Sequence, residues 1–116
     1  MIWLYLSAVA MIVTAFIHSW AGERRLIGPL LSGGATPLDN AQSRKVLRSA
    51  WHLTSGFMVL CAVVVASEGV PVIALRVIGG FWLALGLFSL LTSRGRHVGW
   101  PTLTASGVLA LMGATT

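Results

Sequence analysis

The amino-acid sequence predicts an all-α integral membrane protein: a four-helix bundle forming one transmembrane domain over residues 1–116, with both termini outside the cytoplasm. Three observations lead there. First, 56% of the residues are apolar and only 9% charged, with a mean hydropathy of +0.85. Soluble domains carry about 25% charged residues, so this chain has too few to clothe a water-exposed surface. Second, four apolar runs follow one another with little sequence left over, and about 20 such residues cross a bilayer core. Third, the basic residues gather between alternate runs, as membrane orientation requires. A nucleic-acid surface would instead spread them over a folded face, so a nucleic-acid partner is not expected.

The first span covers about residues 2–20, and Ile2 to Ile17 carries no charge. Arg24 and Arg25 follow this run, whereas a cleaved signal peptide has its positive charge in front. An uncleaved span is the expectation. Ser7, Met11, Thr14 and His18 recur at helical steps and form one stripe. That stripe should face protein, because a polar group facing acyl chains costs free energy.

Residues 23–48 are the main polar segment and read as a cytoplasmic loop. Its opening, ERRLIGPLL, suits the headgroup plane, and Gly33, Gly34, Pro37 and Asp39 supply turn chemistry. The second span, about 49–67, joins the third, about 72–91, through Glu68-Gly69-Val70-Pro71, so the two should be antiparallel neighbours. In the third span Gly80 and Ala84 have the small-xxx-small spacing that permits close helix approach. Arg76, the one charge inside a span, is expected to pair with Glu68 across the turn. The fourth span, about 97–113, covers roughly 26 Å by helical rise. That is short for a hydrocarbon core near 30 Å.

Orientation follows from the basic residues. Arg24, Arg25, Arg44, Lys45 and Arg48 lie in the first loop, Arg94 and Arg96 in the third, and none in the second. The first and third loops are therefore predicted cytoplasmic, in a bacterial inner membrane. The same cluster makes the bilayer's anionic lipid headgroups expected partners, and the small residues of the third span offer contact to a second copy or a larger membrane complex.

This topology gathers the chemistry at one end. His18, His52 and His97 all fall near the cytoplasmic interface. Neutral imidazole ligates zinc, copper and iron, so His18, His52 and His97 with Glu23 form a candidate metal shell. Two histidines could instead hold haem b between helices, making His18, His52, His97, Arg48 and Arg96 a candidate cofactor-binding set. The surrounding positive charge disfavours a bare cation and favours haem propionates or another anion. The plainer reading is that the histidines hydrogen-bond backbone or headgroups. Trp20, Trp51 and Trp100, beside them in sequence, read as an interfacial aromatic belt. The single cysteine, Cys61, excludes an intrachain disulfide and a Cys-rich metal site. No nucleophile with a base and an orienting group stands out, so hydrolytic chemistry has no support. The leading expectation is a redox or ligand-binding module for haem or a transition metal. The alternatives are a structural or assembly subunit that binds partner helices and anionic lipid, and a small oligomeric transporter.

The strings HSWAGERRLIGPLL (18–31), RSAWHLTS (48–55) and GRHVGWP (95–101) resemble those of a group of small, uncharacterised four-span bacterial inner-membrane proteins. The resemblance implies the architecture and no catalytic residue. Small multidrug resistance transporters also have four short spans, but they carry a glutamate in the middle of the first, and this first span has none.

Overall fold

An unbroken apolar run with no proline carries helix α1 from Ile2 to Gly22, and the chain stays helical beyond it. In this computed structural model, which describes residues 1–32 and 40–116, Glu23–Ile27 forms a π-helical turn and Gly28–Ser32 the short helix α2. Pro29 explains the irregularity. It has no N–H for the carbonyl four residues earlier and its ring crowds that carbonyl, and a π turn just before it relieves the conflict. Gly28 suits the site, because its N–H reaches the Glu23 carbonyl while a Cβ there would sit 2.8 Å from that oxygen.

Much of the polar segment read as a loop over 23–48 is thus helical, up to Ser32 and again from Ala41. The turn residues Gly33, Gly34, Pro37 and Asp39 lie outside the described residues. Helix α3 runs from Ala41 to Ala66, starting well before the expected residue 49. Asn40 caps it: its Oδ1 accepts from the N–H groups of Gln42 at 2.7 Å and Ser43 at 3.4 Å. Helix α4 spans Val72–Ser93 and ends with Arg94 and Gly95 at positive φ. Helix α5 spans Trp100–Thr115, so His97 lies in the turn before it rather than opening it.

The helices are ordered α3, α1, α5, α4 in space, each packed on the next. The expectation that the second and third spans are close neighbours is corrected: α3 and α4 share a short turn but do not pack along their lengths. The short link over residues 67–71 fixes where two helices meet, whereas packing depends on which faces carry small residues. Those lie between α4 and α5. Gly79 meets Ala110 and the Gly107 carbonyl, and Gly86 meets Thr104. Gly80, by contrast, has nothing within 4 Å of a Cβ position, and Ala84 is exposed. The close approach therefore uses Gly79 and Gly86, not the predicted Gly80 and Ala84. The Glu68–Arg76 pair is also not formed: the ion pairs among the described residues involve Glu23 alone among the acids.

Leu4 and Met11 of α1, Val65 of α3, Leu75 and Trp82 of α4 and Leu103 of α5 belong to one buried core. Within it the Ser7 hydroxyl donates to the Ser106 carbonyl at 2.7 Å, tying α1 to α5 where no water is available to compete. Phe16, Phe57, Phe81 and Phe88 are more than half exposed, as a lipid-facing surface requires. Among the described residues, three helices are long and apolar enough to cross a membrane: Ile2–Ser32, Ala41–Ala66 and Val72–Ser93. At 16 residues, α5 is about 24 Å long by helical rise.

Candidate functional site

The ends of α1 and α4 and the starts of α3 and α5 bring seven of the eight basic residues and all three histidines to one end of the molecule. On α1, His18 and Ser19 are adjacent, and one residue turns a helix by about 100°. They consequently serve two different neighbourhoods.

On the first side, His18 and Trp51 clasp α1 to α3. The His18 Nε2–H donates to the Trp51 carbonyl at 3.1 Å, and the Trp51 Nε1–H donates to the His18 carbonyl at 2.8 Å. Their rings stack with centroids 4.2 Å apart and planes 8° from parallel. Gly22 permits this approach, since a Cβ there would overlap the Trp51 indole. Beside the clasp lies a cavity of about 350 Å³. Arg25, His18 and His97 supply its polar wall, and Ile17, Met58 and Leu103 much of its apolar wall. The π turn matters here, because it directs Arg25 and Leu26 to the cavity while Glu23 and Arg24 line a separate groove.

On the second side, the Ser19 hydroxyl donates to Ser55 Oγ at 2.6 Å. The Ser19 hydrogen being used, the His52 Nδ1–H donates to Ser19 Oγ at 2.9 Å. Glu23 Oε1 pairs with Arg48 Nε at 2.8 Å, and Glu23 Oε2 lies 3.4 Å from His52 Nε2. The two facing atoms are both acceptors unless a proton lies between them, and Oε2 has no hydrogen-bond partner among the described residues. Outside this network, the Arg24 guanidinium covers the Trp20 ring at 5.2 Å from its centroid.

The expected constellation therefore falls into two parts. His18 and His97 share the cavity, whereas His52, Glu23 and Arg48 are joined on the other flank of α1. Arg96 is exposed and does not line the cavity. Among the described residues no group of three or more His, Cys, Asp or Glu is placed to hold a metal ion. Arg48, His52 and Ser55, at steps of four and three residues, lie on the α3 face that meets α1. Sequence reasoning missed the role of Trp51, which a belt assignment leaves facing lipid, and the partnership of Ser19 with His52. Comparison with protein-family models, curated proteins and solved structures gives no match.

Proposed function

We propose that this chain is a small four-span protein of the bacterial inner membrane, both termini outside the cytoplasm, that binds an amphipathic small molecule at its cytoplasmic end. The observation that carries the reading is the cavity of about 350 Å³ with Arg25, His18 and His97 on one wall and aliphatic side chains on another. A concave, mostly apolar site with a few convergent polar groups is what small-molecule binding requires. Seven of the eight basic residues belong to the segments at this end, which supports its cytoplasmic placement. Helix α5, short for a span, is flanked by α1 and α4, so protein covers much of its length. Haem b or a transition metal finds less support than an organic ligand, because Glu23 and His52 stand apart from the other two histidines and His18 Nε2 is already engaged by a carbonyl.

Native mass spectrometry of protein extracted from membranes tests the ligand reading. A non-covalent adduct below about 1 kDa is expected on the wild type and not on Val98→Trp, whose indole would block the cavity at a half-exposed wall residue. An adduct-free wild type, or an adduct indifferent to that substitution, would refute it. A C-terminal reporter should be active only outside the cytoplasm; a cytoplasmic C-terminus would mean that α5 does not cross.

A further inference from the structure

We infer that the cavity ligand is a lipid-soluble quinone or quinol, its ring at the polar wall and its tail between α3 and α4; this rests on the small-molecule reading above. Hydrogen-bonding polarity carries the argument. The Gly99 N–H donates to His97 Nδ1 at 3.0 Å, so neutral His97 keeps its hydrogen on Nε2, which has no partner among the described residues. His18 is the opposite case: its Nε2–H is spent on the Trp51 carbonyl, which leaves Nδ1 a bare acceptor. With Arg25, the wall offers one neutral donor, one neutral acceptor and one cation. A carboxylate or phosphate head would satisfy the donor and the cation but would set negative charge against the His18 acceptor. A quinone carbonyl accepts from His97 or Arg25, and a quinol hydroxyl donates to His18, so both redox states of one ring are accommodated.

Shape points the same way. The stacked His18 and Trp51 rings, only 8° from parallel, form a flat element in the wall, which suits a planar ring more than a tetrahedral headgroup. From Thr14 to Arg25 the cavity follows α1 for about 17 Å of helical rise. Met58 and Leu103 also line a second, wholly apolar cleft of about 140 Å³ between α3 and α4, whose other walls include Phe57, Phe81 and Trp82. Because α3 and α4 do not pack along their lengths, a tailed molecule can enter sideways from the bilayer and leave its tail there.

The test uses the full chain in lipid nanodiscs with decylubiquinone as probe, bound probe being measured by extraction after separation of the discs and corrected for empty discs. Saturable binding is expected in the wild type, weakened about tenfold by His97→Ala, the loss of roughly one hydrogen bond, and restored in part by His97→Gln, which keeps a donor. His97 lies in an exposed turn, so these variants should fold. Excess oleate or lysophospholipid should not displace the quinone. If oleate or lysophospholipid occupies the site and decylubiquinone does not, the quinone assignment falls while the small-molecule reading stands. If no probe binds and the extracted protein carries no adduct, both fall. Quinone binding that is indifferent to His97→Ala and His97→Gln would also overturn the assignment.

Discussion

Replacing Gly107 by leucine will separate α4 from α5 and cost about 3 kcal/mol or more of stability, while the same change at Gly80 will cost almost nothing. At Gly107 a Cβ would lie 2.7 Å from the Gly79 carbonyl oxygen and from Leu83 Cα. These are backbone atoms of a packed helix. A flexible side chain could swing away, but here only the helix as a whole can move. Separating the two helices also disturbs Gly86 against Thr104, one turn nearer the cavity end, where a Cβ would come within 2.6 Å of the Thr104 nitrogen. Gly80 is the matched control, with open space where its side chain would go. Circular dichroism during an SDS titration of purified protein, compared with wild type, measures both changes. Equal losses for Gly107→Leu and Gly80→Leu would mean that α4 presents a different face to α5.

The Gly79 and Gly80 comparison marks where sequence stops being informative. Gly79, Gly80, Ala84 and Gly86 advertise close packing, and a helix with small residues in adjacent positions has two candidate faces about 100° apart. Only the partner decides between them, and Thr104 and Gly107 of α5 select Gly79 and Gly86. The stripe on α1 had no such ambiguity. Three of its four members, Ser7, Met11 and Thr14, are buried, at 0%, 0% and 3% exposure, and the fourth, His18, is half-buried at the cavity. The start of α3 at Ala41 escapes the sequence reading, because the charges of Arg44, Lys45 and Arg48 favour a loop there over the capping signal that Asn40 supplies ahead of Gln42 and Ser43. The π turn at Glu23–Ile27 escapes it too, because Pro29 announces a disturbance without saying which irregularity resolves it. For the histidines, depth came from the spans. Azimuth did not, and it is azimuth that sets His18 toward the cavity and its neighbour Ser19 toward His52 and Glu23.

Trp51 is the residue on which stability and ligand binding should fail together. Its indole donates to the His18 carbonyl, stacks on the His18 ring, fills the notch left by Gly22 and walls the cavity. Trp51→Ala removes all four contributions and is expected to cost about 3–5 kcal/mol, the range for deleting a packed indole. Trp51→Phe keeps an aromatic ring for stacking and loses the Nε1 donor, so about 1 kcal/mol is expected, the net worth of one hydrogen bond. A double-mutant cycle with His18→Ala isolates the clasp. Truncating either partner already abolishes the stack and the side-chain bond it makes, so the second truncation should cost less than it does alone, with a coupling of about 0.5–3 kcal/mol. Denaturation measurements on the four proteins of the cycle supply the number; additive losses would show that the two rings merely lie side by side. Binding then separates wall from clasp. Trp51→Phe should retain the small-molecule adduct, because a flat ring still borders the cavity, whereas Trp51→Ala should lose it even where stabilising lipid restores the fold. An adduct that survives in refolded Trp51→Ala would place the ligand elsewhere on the molecule, because no molecule confined to this cavity could ignore the removal of one of its walls.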